Sequence, residues 1–144
     1  MAVYKWSGAW ASRGAVLTTQ LNSLAAGAAS AVGPTLDNSV NLDQWAQLEL
    51  ALTFAVAPAA GDYVSVYLQT APDGANFEAA DQTQTQRLVA SVPVQTVLTA
   101  QKLHSRPFLM EPARTQFWLV NNAGQALSAS GNTATVYTAN EASF

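Results

Sequence analysis

His104, beside Ser105 and Arg106, is the single histidine of the chain. A serine hydrolase would use such an imidazole as base, a hydroxyl as nucleophile and a carboxylate to orient the ring. No Gly-x-Ser-x-Gly elbow is present to expose a serine. His104 is therefore expected to be a solvated loop residue. The carboxylates Asp37, Asp43, Asp73, Glu78 and Asp81 all fall between the expected strands. Asp73, Asn76 and Glu78 lie close enough in sequence to offer a hard cation several oxygens. Their spacing matches no calcium-loop signature, and Asp73-Gly74 is already explained as a turn. Nothing selects one carboxylate pair for glycoside hydrolysis. No phosphate-cradling glycine loop, zinc spacing or dinucleotide fingerprint occurs. The chain is expected not to be an enzyme and to need no cofactor or metal.

Aromatic residues give a second kind of chemistry, stacking. Trp45, Tyr63 and Tyr67 fall on the outward parity of their strands and are expected to line one sheet face, where aromatics can hold a sugar ring. The alternative is that this face is covered by the N-terminal segment, a helix or a neighbouring subunit. Tyr4, Trp6 and Trp10 sit at even positions in the first residues. That spacing suits an extended arm that lays aromatics on a partner, or else an ordinary first strand. Left in water these rings would be costly, so they must dock.

The elements that would position these groups are strands. From Gln44 to Val56 the chain alternates strictly. Ala46, Leu48, Leu50, Leu52, Phe54 and Val56 point one way, and Trp45, Gln47, Glu49, Ala51, Thr53 and Ala55 the other. This predicts a long strand with one core face and one partly polar face. Pro58 to Asp62 turns the chain into a second strand, Tyr63 to Thr70, and the two are expected to form a hairpin. Shorter strands are expected at Gln86 to Ala90 and Val94 to Thr99, separated by Pro93. Residues 101–107 read as a loop or short crossing. Thr115 to Asn121 reads as a strand with Phe117 and Leu119 opposite Trp118 and Val120. Turns at 121–124 and 131–132 lead to a final strand, Thr133 to Ala139, and a tail, 141–144. Near the start, Thr18 or Thr19 could cap a short helix with Leu17, Leu21 and Leu24 on one face, ending at Gly27. The small residues from Ala25 to Gly33 read as a loop or as a helix lying on the sheet.

Roughly six to eight strands with frequent turns and little helix define an all-β chain. The expectation is an antiparallel β-sandwich, jelly-roll-like or of the galactose-binding type, with an extended N-terminal arm and one short helix. Residues 1–14 would be the arm and 15–144 a single sandwich domain.

Composition bounds the surroundings. At 144 residues the chain suits one domain with a real core. Hydrophobic residues make up 49% and charged ones only 10%, against roughly 25% in an average soluble domain. Small neutral side chains fill the deficit, and they pack against a neighbour with little desolvation cost. This favours a subunit of a larger particle. The net charge of −3 and the scattered Lys5, Arg13, Arg87, Lys102, Arg106 and Arg114 offer no stripe for a phosphate backbone, so nucleic acid is not an expected partner. The absence of cysteine removes disulfides and thiol chemistry. No stretch reaches the roughly 20 apolar residues of a membrane span, and the N-terminus lacks a signal core. Synthesis in the cytoplasm without membrane association is expected.

Several stretches carry a family likeness: Asp-Asn-Ser-Val-Asn-Leu-Asp (37–43), Ala-Pro-Ala-Ala-Gly-Asp (57–62), Val-Tyr-Leu-Gln-Thr-Ala-Pro-Asp-Gly-Ala-Asn-Phe-Glu (66–78), and Phe-Trp-Leu-Val-Asn-Asn-Ala-Gly-Gln-Ala-Leu-Ser-Ala-Ser-Gly-Asn-Thr (117–133). Together they resemble small virion structural proteins of tailed bacteriophages, of the capsid decoration or cement type. The resemblance implies a β-sandwich without enzymatic activity, located on the capsid surface of the virion after assembly in the host cytoplasm. Its partners would be the major capsid protein and further copies of itself, a trimer being one option. Tyr4, Trp6 and Trp10 are the expected contact residues. The alternatives are a tail or neck structural protein, and a carbohydrate-binding module for host attachment that stacks sugars on Trp45, Tyr63 and Tyr67.

Overall fold

A computed structural model describes residues 4–6, 9–80 and 87–143. In chain order its strands are β1 (Tyr4–Trp6), β2 (Ala11–Leu17), β3 (Leu36–Asp37), β4 (Trp45–Leu52), β5 (Tyr63–Ala71), β6 (Leu88–Pro93), β7 (Gln101–His104), β8 (Phe108–Leu109), β9 (Arg114–Asn121), β10 (Thr133–Ala139) and β11 (Glu141–Ser143). One helical turn, α1 (Asn38–Asn41), precedes β4. The first sheet has the order β2-β10-β4-β7, with β8 pairing β4 beyond the end of β7. The second has the order β3-β9-β5-β6, and β1 and β11 form a separate two-stranded ribbon. All pairings are antiparallel. The chain is an all-β sandwich.

The pairing is nested. β5 pairs β6, β4 pairs β7, β3 pairs β9 and β2 pairs β10, so the chain resembles one long hairpin folded over on itself.

The core follows from the alternation. In β4, Ala46, Leu48, Leu50 and Leu52 are fully buried, while Trp45, Gln47, Glu49 and Ala51 are half-buried on the outer face. Ala134 and Val136 of β10 extend the same inner face, and Val64, Val66, Phe117 and Leu119 oppose it from the second sheet. Each of the leucine, valine and phenylalanine side chains contributes about 1.5–3 kcal/mol on leaving water. Phe54 is buried and bridges Leu127 beyond the end of β4. The expected alternation stops there, because Val56 is exposed in the connection to β5.

One side of the sandwich is closed by the small-residue stretch. Gly27, Ser30 and Gly33 donate backbone N–H groups to the carbonyls of Asn121, Leu119 and Phe117 at 2.7, 2.8 and 2.8 Å. The stretch is thus the loop alternative and not a helix, and it runs as an irregular strip along the β9 edge. Gly33 passes so close to β2 that a Cβ there would lie 1.8 Å from the carbonyl oxygen of Val16. The buried Asn121 amide donates to the carbonyls of Leu24, Ala25 and Gln125. In a chain poor in charge and lacking cysteine, buried amides hold the loops.

Several expectations are corrected. β4 and β5 form no hairpin: they belong to different sheets, and the connection between them passes from one sheet to the other with most of residues 55–61 exposed. A bilayer of sheets is about 10 Å thick, a distance this connection spans easily. Residues 101–104 are strand β7, with Leu103 in the core and Gln101 buried. The side chain of Gln101 binds the backbone of Gln95, at 2.7 and 2.8 Å, and so ties down residues 95–100 as a loop where a strand was expected. The helix near the start is a single 3-10 turn (Thr19–Leu21), and Thr18 makes no side-chain cap. Leu17, Leu21 and Leu24 are nevertheless all buried, because a strand end followed by a tight turn presents the same spacing. β2 begins at Ala11, so residues 11–14 belong to the sandwich and not to an arm. Residues 141–143, expected as a tail, are strand β11.

Candidate functional site

The outer face of the first sheet gathers the groups that could make a site. Strand register sets Gln47 opposite Tyr137, Glu49 opposite Thr135 on one side and His104 on the other, and Trp45 between Ala139 and Leu109. Trp10, just ahead of β2, reaches over this face. Trp10, Gln47, Glu49, His104 and Tyr137 line a shallow hollow of about 260 Å³. Glu49 is its electrostatic centre, with one carboxylate oxygen 3.2 Å from His104 Nε2 and the other 3.5 Å from Lys102 Nζ. Gln47 donates through Nε2 to the carbonyl of Ser105 at 2.8 Å, which fixes its amide. The hollow combines aromatic faces with an amide, an imidazole and a carboxylate, a set suited to holding a polar ring.

His104 is not a loop residue. It ends β7, and Ser105 follows it on the opposite side of the chain. The Ser105 hydroxyl accepts from Leu48 N at 2.9 Å and donates to the carbonyl of Arg106 at 2.9 Å. The two side chains point apart, so the His104–Ser105 hydrolase pairing is not formed.

Trp45, Tyr63 and Tyr67 do not share a face. Trp45 lies on the outer face of the first sheet, whereas Tyr63 and Tyr67 lie on the outer face of the second. Period-2 parity fixes a side chain relative to its own strand but says nothing of which sheet the strand joins. Tyr67 is instead stacked on Trp118, with ring centroids 5.3 Å apart and planes 14° apart. Trp118 is 1% exposed although it points away from the core, and its Nε1 has no hydrogen-bond partner among the described residues. Its parity was legible, but its burial was not.

Asp73 accepts from the backbone N–H groups of Asn76 and Ala75 and from the Asn76 amide. These bonds hold its carboxyl down to about 2. Glu78 pairs with Arg87 across the loop, so it is not directed to a shared cation with Asp73. Among the described residues no group of three or more His, Asp or Glu is placed to hold a metal ion. Asp37 caps α1 by accepting from Ser39 N and Oγ, and it pairs with Arg114 at 3.1 Å. The Ser39 hydroxyl, with a smaller contribution from Arg114, lowers its pKa. Asp43 is buried under Arg13. Asp81 lies outside the described residues.

Of the expected contact residues, Tyr4 and Trp6 are in β1, whose backbone pairs with β11. Their side chains lie outside the described residues. Trp10 is half-buried in the hollow.

The opposite rim of the sandwich, between β6 and β7–β8, is open. Two hollows of about 310 and 250 Å³ lie along it, one beside Val92 and Ser105 and the other beside Leu88 and Phe108. Ser91, His104, Ser105 and Arg106 give the first its polar groups, and Thr70, Arg87, Glu111 and Thr115 the second, but of the three only the Glu49 hollow sets a tryptophan and a tyrosine beside its polar groups. Three exposed apolar residues lie near the start of β4, Val40 and Leu42 around α1 and Leu109 beside Trp45, while Val56, Val97 and Leu98 are exposed elsewhere. Leu42 occupies the left-handed region at φ 51°.

No family model, no curated protein and no solved structure matches the chain.

Proposed function

We propose that this protein is a structural subunit of a virus particle, a decoration or cement protein that binds the major capsid protein lattice and stabilises the head. The observation that carries this reading is the nested pairing of β2–β10, β3–β9, β4–β7 and β5–β6. Eight strands paired in this way support assignment as a jelly roll, an architecture common in viral capsid and lectin domains. Fold alone does not carry function, so three further features matter. The surface is poor in charge. Val40, Leu42 and Leu109 present apolar side chains to solvent near one end. The sequence stretches quoted above resemble phage decoration proteins. A neutral surface with apolar points suits a subunit repeated many times, because modest contacts add through copy number. Further copies of the same chain would be its other partners.

The test is sedimentation. Purified protein is mixed with heads of the phage that carries its gene, prepared without this protein, and the particles are imaged by cryo-electron microscopy. The expected result is co-sedimentation with density at repeated lattice positions. Protein that stays at the top of the gradient overturns the proposal, and six or twelve copies at one vertex assign it to the neck or tail.

A further inference from the structure

We infer that the hollow formed by Trp10, Tyr137, Gln47, Glu49 and His104 is a binding site for an uncharged sugar ring. The register of the first sheet brings four of these residues together. Tyr137 and Gln47 are cross-strand partners on β10 and β4, and Glu49 and His104 are partners on β4 and β7. Trp10 completes the hollow from the segment before β2. Tyr137 presents an aromatic ring for the C–H face of a pyranose, with Trp10 at the edge of the hollow. Around them stand the groups that read hydroxyls. Glu49 accepts, His104 can donate or accept, and Gln47 is held by its bond to Ser105 so that Oε1 is the amide atom offered to a ligand.

Size and charge narrow the ligand class. The hollow measures about 260 Å³, just below the roughly 300 Å³ at which sites for drug-sized molecules begin. It therefore suits one ring of a glycan with its neighbours in solvent. Glu49 already has Lys102 as a counter-charge and His104 within hydrogen-bond distance. A cationic ligand would compete with Lys102, and an anionic one would meet the Glu49 carboxylate. A neutral hexose or N-acetylhexosamine meets neither penalty. Val40 and Leu42 lie around α1 and do not line the hollow, whereas Leu109 shares its sheet face opposite Trp45, so variants at Val40 and Leu42 test head binding apart from sugar binding.

The experiment uses the full chain in solution without capsids. Tryptophan fluorescence and isothermal titration calorimetry are run with glucose, galactose, mannose, N-acetylglucosamine and their short oligomers, and with sialyllactose as the charged comparison. At least one neutral sugar is expected to bind and to shift the fluorescence. Tyr137→Ala and Gln47→Leu should each weaken it about tenfold, the scale of one lost stacking or hydrogen-bonding contact. Tyr137→Phe, which keeps the ring, should retain binding, and circular dichroism should report an unchanged fold for each variant. Absence of binding across the neutral panel overturns the inference. So does a preference for sialyllactose, or binding that is indifferent to Tyr137→Ala in a folded variant.

Discussion

Arg13 grips Asp43 at both carboxylate oxygens, with Nε 2.7 Å from Oδ2 and Nη2 2.8 Å from Oδ1. The same Nε also lies 3.0 Å from Thr138 Oγ1 on β10. Asp43 is 4% exposed and precedes β4, so this fork joins β2, β10 and the approach to β4 at one point. Planar bidentate pairing of this kind is specific to arginine. Arg13→Gln should destabilise the fold by about 1–3 kcal/mol in urea unfolding, below the full value of a buried pair because a third of the arginine side chain meets solvent. Arg13→Lys should recover only part of that loss. Equal midpoints for the wild type and Arg13→Gln would show the fork to be energetically idle.

Gly33 is needed for space. With a Cβ 1.8 Å from the Val16 carbonyl oxygen, the strip along β9 must move away from β2. Gly33→Ala should cost about 1–3 kcal/mol, the range of overpacked positions. Amide exchange should quicken at Ser30 and Leu119, whose backbones bond across that strip. A variant as stable as the parent, with unchanged protection, contradicts the close approach.

Leu42 gives a prediction of the opposite sign. Its left-handed backbone costs a non-glycine residue roughly 1–2 kcal/mol, and its side chain is 59% exposed, so little burial offsets that cost. Glycine removes the strain at an entropy cost of roughly 0.5–1 kcal/mol. Leu42→Gly should therefore be more stable by about 0.5–1 kcal/mol, seen as a raised Tm. If Leu42 contacts the capsid, the same variant should bind heads more weakly, which would explain why a strained leucine is present.

Asp73 makes a pH prediction. Bonds from Asn76 N, Ala75 N and the Asn76 amide favour its ionised form and lower its pKa from 3.8 to about 2. Because the folded value is depressed, the stabilisation is complete above the ordinary carboxylate range and is lost as pH falls from about 3.8 towards about 2. A carboxyl-carbon NMR titration should place Asp73 well below the ordinary aspartate value of 3.8. Asp73→Ala should flatten the acid limb of the stability curve over that window. A midpoint near 3.8 for Asp73 would mean that the turn is not formed in solution.

Much of this architecture could be read from residue order because one-sided burial imposes alternation. Leu48, Leu50 and Leu52 announce β4, Phe117 and Leu119 announce β9, and Val136 between Thr135 and Tyr137 announces β10. Alternation is silent about neighbours, however, so β4 and β5 looked like a hairpin although they face each other across the core. β7 was hidden because the buried Gln101 takes an inward position that pattern reading reserves for apolar residues, its amide being satisfied by the 95–97 loop. The Glu49 hollow was invisible for a related reason. Trp10, Gln47, His104 and Tyr137 come from four separate segments, and only tertiary register unites them. Trp45 and Tyr67 were each placed correctly relative to their own strands, and their grouping failed for want of sheet order.

The position of β10 also governs when the protein can fold during synthesis. It lies between β2 and β4, which do not touch each other within their sheet. Until residues 133–139 have left the ribosome, β2 and β4 have no shared partner, and the apolar inner face of β4 has only part of its cover. Long-range pairing of this kind makes folding slow, with sticky surface exposed meanwhile. A nascent chain stalled before Thr133 should accordingly be protease-sensitive and engage chaperones, and protection should arrive in one late step as the last long strand slots into place.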